Sequence, residues 1–324
     1  MTTLLDLRVG PDLAAFLERL ERQLAAQAGG QSEFLSRLTR YIFDSSGKRL
    51  RPALVYLSAG FGDADERETM ETALAVEMIH VSTLVHDDLV DEALLRRAKP
   101  TVGVRFGEGA AVLLGDHVYA LAFQRLAALG RPALISAFAN ATAEMCEGEI
   151  GQYEKRHTFD LSEGEYIEFL RKKTASLMSA AAWAGGFLAG LPPRNLEALR
   201  TFGDRIGVAF QIVDDVLDVA GDESIVGKTL RTDLRNGKMT LPLIRFARTL
   251  SESDRSAFRE TLRTQAADLD GWIVRLLDSG VIADCRAAAG RLARDAEEVL
   301  RNLPDLPPRR LLLEVAHRLT DRTG

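Results

Sequence analysis

Val76-Glu77-Met78-Ile79-His80-Val81-Ser82-Thr83-Leu84-Val85-His86-Asp87-Asp88-Leu89-Val90-Asp91 carries apolar side chains every three or four residues, then turns without a break into three aspartates. That spacing is helical, and no two-residue alternation competes with it. Ile206-Gly207-Val208-Ala209-Phe210-Gln211-Ile212-Val213-Asp214-Asp215-Val216-Leu217-Asp218 repeats the arrangement. Two core-seeking helices, each running into Asp-Asp-x-x-Asp, make the chain read as all-α.

The same periodicity continues outward in both directions. It predicts helices near 11–27, 31–45, 52–60, 66–95, 107–128, 132–154, 163–190, 195–219, 239–250, 254–268, 281–302 and 309–320. Pro11, Gly29-Gly30, Gly47, Pro52, Pro100, Pro132, Pro192-Pro193, Pro242, Pro304 and Pro307-Pro308 punctuate these stretches instead of interrupting them. No linker, low-complexity run or short repeat divides the sequence, so residues 1–324 are expected to form one all-helical domain.

Composition narrows the class. Of the 324 residues, 46% are hydrophobic and 27% charged, as in an ordinary globular protein. A net charge of -6 gives nucleic-acid binding no electrostatic support. Cys146 and Cys285 are far apart and match no metal spacing, so both are expected to be free thiols in the core, in a reducing cytoplasm. The N-terminus has no basic stretch followed by an apolar core, and no signal peptide is expected. The most apolar stretch, Leu177 to Leu191, is shorter than the ~20 residues a membrane-spanning helix needs. Its Ala and Gly content suits a buried helix, and no integral membrane segment is expected.

On a helix, residues four apart lie one above the other, so Asp87 and Asp91 share a face, as do Asp214 and Asp218 with Gln211 one turn earlier. Stacked carboxylates repel, and a hard divalent cation with oxygen preference removes that repulsion. Magnesium fits when one or two carboxylates bind each ion and phosphate oxygens complete its shell. With 24 aspartates in the chain, one such spelling arises by chance in roughly one sequence in eight, and two in roughly one in a hundred. A solvated acidic helix end explains either cluster alone. It does not explain two that continue straight from apolar runs.

Metal held this way needs an anion, and cationic segments are at hand. Lys48, Arg49 and Arg51 lie in a turn-like segment entering a helix, and Arg96-Arg97 follows the first cluster. Arg171-Lys172-Lys173-Thr174 lies on an apolar helix, and Lys228 and Lys238 follow the second cluster. Singly, these read as solvated charges. Together with two metal sites they describe a pocket for two diphosphates, one bridged by metal and one held by Lys and Arg forks.

GKRLRP (47–52), HDDLVDEALLRRAKPT (86–101), EGEIGQYEKR (147–156), RKKTASL (171–177), GVAFQIVDDVLDVAGDE (207–223) and GKTLRTDLRNGKMTLPL (227–243) together resemble the trans-isoprenyl diphosphate synthase family in order and spacing. The resemblance covers about Gly47 to Pro242. It implies an all-α, single-domain bundle of about ten or more helices around a deep central cavity, working as a homodimer. It also implies that Asp87, Asp88, Asp91, Asp214, Asp215 and Asp218 hold three magnesium ions on the allylic diphosphate primer. Arg96, Lys173, Lys228 and Lys238 would contact that diphosphate, and Lys48, Arg51, His80 and Arg97 would hold isopentenyl diphosphate. Thr174 and Gln211 would set oxygens near the developing allylic cation. Neutralising the leaving diphosphate lets the allylic carbon–oxygen bond ionise, after which the isopentenyl double bond attacks and a proton leaves to the released diphosphate. No side-chain base is required, so Glu92, Glu147 and His86 receive no role.

Product length follows from what lies beneath the first cluster. One helical turn advances about 5.4 Å, roughly one extended isoprene unit. In the family, farnesyl-forming members place aromatics four or five residues before the first aspartate, where this chain has Thr83 and Ser82. With Ile79 below them, these positions would leave a shaft open, its floor drawn from Met78, Ile79, Tyr119, Leu121 or Phe123. The surrounding text looks most like longer-chain members making heptaprenyl to decaprenyl diphosphates for quinone side chains. A geranylgeranyl or farnesyl synthase is the nearest alternative. A class I terpene cyclase normally carries an Asn/Ser/Glu second metal site and would not need the GKRLRP anchor. A non-catalytic subunit of a heteromeric prenyl synthase would have lost motifs that are intact here. The helix near 107–128 is the expected dimer surface.

Overall fold

The computed structural model describes residues 11–27, 32–44, 47–97, 99–221, 237–264 and 269–320. The helices are α1 (Pro11–Ala26), α2 (Glu33–Phe43), α3 (Leu50–Ala59), α4 (Glu66–Val90), α5 (Val102–Phe106), α6 (Glu108–Ala128), α7 (Pro132–Glu154), α8 (Glu163–Leu170), α9 (Ser176–Leu188) and α10 (Pro193–Ala220). Then come α11 (Leu241–Thr249), α12 (Glu252–Thr264), α13 (Leu269–Asp278), α14 (Val281–Leu300) and α15 (Pro307–Thr320). Between α4 and α5, β1 (Leu95–Arg96) and β2 (Lys99–Pro100) form a minimal antiparallel pair with Arg96 opposite Lys99. The fold is the all-α bundle that the sequence periodicity predicts.

Local chemistry sets the helix starts. Asp65 caps α4 by accepting from the Glu68 N–H at 2.8 Å, and Ser162 and Glu165 close a capping box on α8. Pro132 and Pro193 open α7 and α10, where a missing N–H costs nothing.

α4 lies along α6 and is apolar almost all round, with Ala73, Leu74, Ala75, Val76, Met78 and Ile79 fully buried. A helix of that kind belongs at the centre of a bundle. α9, the Ala/Gly-rich stretch, is likewise buried between α3 and α10. At Gly185 a Cβ would sit 2.2 Å from the Val55 carbonyl, so only glycine admits this contact with α3. No described helix is long and apolar enough to cross a membrane. One group of core side chains joins α1–α7 to α9 and the first half of α10, and a second joins α8 and the last half of α10 to α11–α14.

Several details differ from the sequence expectation. α4 stops at Val90 instead of running to 95, because Asp91 caps it and Glu92 takes a left-handed conformation (φ 51°). α5 and α13 were not anticipated; α13 carries Gly271, a breaker by habit, yet buries Trp272, Ile273 and Leu276 on one side. Cys146 is exposed on α7, not in the core, whereas Cys285 is buried; both thiols are free. The helix expected over 163–190 opens into a π turn at Arg171–Ala175.

Candidate active site

The first aspartate cluster occupies the C-terminal end of α4. A helix presents partial negative charge there, which favours cations. Neither α4 nor α10 has a basic residue in its last turn, so both set carboxylates against their own dipoles. Charge of the opposite sign reaches the first cluster from elsewhere in the chain. The turn through β1 and β2 brings back Arg96, which donates from Nε to both oxygens of buried Asp88 at 2.8 and 2.9 Å. Asp91 accepts from Arg156, just beyond α7, and from Lys238 Nζ at 2.7 Å. Burial pushes the Asp87 carboxyl up to about 6; Lys173 opposes the rise, and Glu149 and Asp91 add to it.

The π turn joins this end to the second cluster. Single π turns inside α-helices recur at functional sites because they re-aim side chains. Here the turn presents Lys173 and Thr174. Lys173 pairs with Glu149 and donates to Gln152 Oε1 at 3.2 Å. Burial works against its charge, but Asp87, Glu149 and Asp91 outweigh burial and hold its pKa above the usual lysine value. Thr174 donates to Gln211 Oε1 at 3.1 Å, and Gln211 Nε2 donates to Asp215 Oδ1 at 2.9 Å. The Tyr166 hydroxyl donates to the other Asp215 oxygen at 2.7 Å. Two glycines let α7 and α10 close on the turn. A Cβ at Gly148 would lie 2.8 Å from Lys172 Cβ, and one at Gly207 2.5 Å from Ala175 Cα. The His157 N–H donates to the Gly237 carbonyl at 2.8 Å, tying the segment that carries Lys238 to the end of α7. The acidic ends of α4 and α10 are therefore both linked to the π turn, the first through Lys173 and the second through Thr174. Asp214 is half-buried, and Asp218 is only 1% exposed.

A basic group adjoins the first cluster. Arg49, His80, Arg96 and Arg97 line one cavity with Glu77 and Asp88. Burial, then the charges of Arg51, Arg97, Arg96 and Arg49, hold the His80 pKa well below its ordinary value. Burial brings the Arg51 guanidinium down to about 10 against the pull of Glu77, and its Nε is buried with no hydrogen-bond partner. Orphaned guanidinium N–H groups beside concentrated positive charge suit a multivalent anion. Lys48 Nζ lies 5.5 Å from the centre of the Phe210 ring, so the Gly47–Arg49 loop also reaches α10. Of the four non-glycine residues with positive φ among the described residues, Arg49, Glu92 and Arg97 flank this region and His157 anchors the Lys238 segment. Such conformations gather where function fixes the backbone.

The expected site residues thus form two groups that adjoin at Lys173-Thr174: Asp87, Asp88, Asp91, Arg96, Lys173 and Lys238 around the first cluster, and Thr174, Gln211 and Asp215 in one hydrogen-bond chain. Lys228 lies outside the described residues. Carboxylate oxygens are the donors a hard divalent ion takes, and the raised Asp87 carboxyl marks acid crowded in a low-dielectric place, so the residues fit magnesium in kind. Among the described residues no three His, Cys, Asp or Glu side chains converge as a metal site, since the oxygens of Asp88 and Asp91 face Arg96, Arg156 and Lys238.

Of the chain-length positions, Ser82 is buried and donates to the Gly115 carbonyl of α6 at 2.8 Å, Ile79 is fully buried, and Thr83 stays half-buried. Glu77, Glu149, Gln152, Arg156 and Tyr166 also belong to this region, though the motif pattern assigns them no role. Glu149, Gln152 and Arg156 stood inside a quoted motif, and Glu77 was an acid within an apolar run. Nothing local marked Tyr166.

The chain is similar to known proteins along most of its length. The sequence model of the polyprenyl synthetase family matches residues 32–273. The chain is 34% identical over 305 residues to heptaprenyl diphosphate synthase component 2 of Geobacillus stearothermophilus, covering 94% of each. It is similar to the crystal structure of a decaprenyl diphosphate synthase from Rhodobacter capsulatus, with TM-score 0.90 and 32% identity over 98% of this chain and 99% of that one. It is also similar to a polyprenyl synthase from Caulobacter crescentus complexed with calcium and isoprenyl diphosphate, with TM-score 0.90 and 31% identity over 99% and 97% of the two chains.

Proposed function

The chain belongs to the polyprenyl synthetase family, and on that premise we propose how its cleft divides the work. The protein is a trans-prenyltransferase that joins isopentenyl diphosphate head-to-tail to an allylic diphosphate, building an all-trans polyprenyl diphosphate of long chain. The observation that supports the division of labour is the π turn, whose Lys173 acts on Asp87 of one carboxylate-bearing helix end while its Thr174 bonds Gln211 beside the other, with Arg96, Arg156 and Lys238 on the first.

Asp87, Asp88, Asp91, Asp214, Asp215 and Asp218 would hold three magnesium ions, with the outer members of each cluster as the main ligands. Bound magnesium would supply the positive charge that lets the allylic diphosphate depart. Arg96, Lys173, Lys238 and Lys228 bind that diphosphate, the described ones exchanging a carboxylate for a phosphate oxygen when substrate enters. Lys48, Arg51, His80 and Arg97 bind isopentenyl diphosphate. Thr174 and Gln211, already hydrogen-bonded to each other, set their oxygens toward the developing cation.

Thr83 is the position at which the shaft can be blocked, because Ser82 is engaged by α6. Residues 1–324 act as one catalytic domain in the cytoplasm. Two copies pair, a reading supported by Val112 and Leu113 on α6, the latter 70% exposed. The name of the Geobacillus relative, a component, supports the rival pairing with a different subunit.

Incubating the purified chain with isopentenyl and farnesyl diphosphates and magnesium, then chromatographing the products, tests the function. Products of about seven to ten units are expected, shortened by Thr83→Phe. Arrest of the unaltered protein at four units would make it a geranylgeranyl synthase. Light scattering on the same sample should give twice 35.5 kDa. A chain inactive until a second protein is added would support the heteromer.

A further inference from the structure

We infer that Glu77 is a positioning residue for isopentenyl diphosphate, acting through Arg49 to set the backbone that carries Lys48 and Arg51. This rests on the assignment of Lys48, Arg51, His80 and Arg97 to that substrate. Arg49 caps α3 in a left-handed conformation (φ 48°, ψ 35°), uncommon for a residue with a side chain. Its guanidinium is buried and shared between two acids. Nη1 donates to Glu77 Oε1 at 2.6 Å; Nε and Nη2 donate to the two Glu21 oxygens at 2.6 and 2.9 Å. So engaged, Arg49 is not itself a phosphate ligand, although it stands between two assigned ones.

Glu77 is 3% exposed and lies on α4 one turn before His80, on the same side of the helix. Arg49, His80 and Arg97 line the cavity with it. The loop is wrapped tightly around the guanidiniums: a Cβ at Gly47 would lie 3.2 Å from Arg49 Nη1 and 3.3 Å from both terminal nitrogens of Arg97. Arg97 too is left-handed (φ 51°). Glu77 also acts electrostatically on Arg51 and Arg97, so one buried carboxylate faces three arginines.

Charge alone and geometry predict opposite signs here. A carboxylate among arginines weakens their field at an incoming diphosphate, so if Glu77 acted only through its charge, removing it would tighten substrate binding. If it holds Arg49, and with it the loop, removing it misplaces Lys48 and Arg51 and weakens binding.

The experiment measures KM for each substrate separately in Glu77→Gln, with Arg51→Ala alongside. Glu77→Gln is expected to raise the isopentenyl diphosphate KM roughly tenfold or more while the allylic KM stays within about twofold. An unchanged or lowered isopentenyl KM in folded Glu77→Gln, with Arg51→Ala raised, overturns the inference and leaves the substrate assignment intact. A parallel rise in both KM values overturns it too, because that is general loss of structure. No rise in Arg51→Ala removes the assignment, and the inference falls with it. If Glu77→Gln does not fold, Glu21→Gln replaces it: a selective rise of about threefold supports the positioning role, and its absence overturns it.

Discussion

The two Asp-Asp-x-x-Asp segments are spelled alike and sit in different surroundings. In the first, Asp88 and Asp91 are held by cations, Arg96 on one and Arg156 with Lys238 on the other. In the second, the middle aspartate accepts from the Tyr166 hydroxyl and from the Gln211 amide. A carboxylate paired with an arginine from another part of the chain can exchange that partner for metal while the arginine turns to phosphate. One that accepts from a buried tyrosine and from a glutamine one turn earlier on its own helix is also tied to the helices around it. On the proposed function the first cluster exchanges its cations for metal, and Asp215, besides its place in the second metal set, ties α10 to α8 and the π turn.

If the outer aspartates carry the chemistry, Asp87→Ala and Asp214→Ala should each lower kcat by at least ~10²-fold, the loss expected when transition-state electrostatics is removed. Near-normal turnover in either would break the comparison at its root. Asp215→Ala tests the anchor. It leaves the Tyr166 hydroxyl buried without its acceptor and should cost about 1–3 kcal/mol in denaturant unfolding, a larger stability loss than Asp214→Ala causes. The exchange account also has a pH signature. Because burial holds the Asp87 carboxyl at about 6, it takes up a proton as pH falls through that value, and the proton competes with metal. Magnesium affinity measured by calorimetry should be flat above pH 7 and fall up to about tenfold per unit below 6. A profile flat to pH 4.5 would remove Asp87 from the metal site. Tyr166→Phe should show the smallest effect, about 1 kcal/mol of stability with turnover nearly intact.

Much of this was legible in the sequence, for identifiable reasons. A helix buried on all sides has to be apolar on all sides, so α4 and α9 announced themselves, and the aspartates stood out because their carboxylates ended those runs. What stayed hidden depends on long-range contact. Arg156 meets Asp91 and Tyr166 meets Asp215 across 65 and 49 residues of chain, and no local periodicity reports such a meeting. The π turn shifts the helical register by one residue over a single turn, which an apolar stripe of two or three turns does not resolve. Ser82 reads as a small residue beside a shaft, and the contact of its hydroxyl with α6 is one that spacing along α4 does not reveal. At Gly271 a residue that usually ends helices sits within α13, where buried Trp272, Ile273 and Leu276 outweigh its intrinsic preference.

The most direct test of the shared metal site is to crystallise the protein with manganese in place of magnesium and an unreactive thio analogue of the allylic diphosphate, and to locate the metal by its anomalous scattering. Manganese bound by Asp87 and Asp91 on one side and by Asp214 on the other, with diphosphate oxygens between them, is the predicted result. Metal confined to one cluster, or diphosphate bound with neither cluster engaged, would contradict the account.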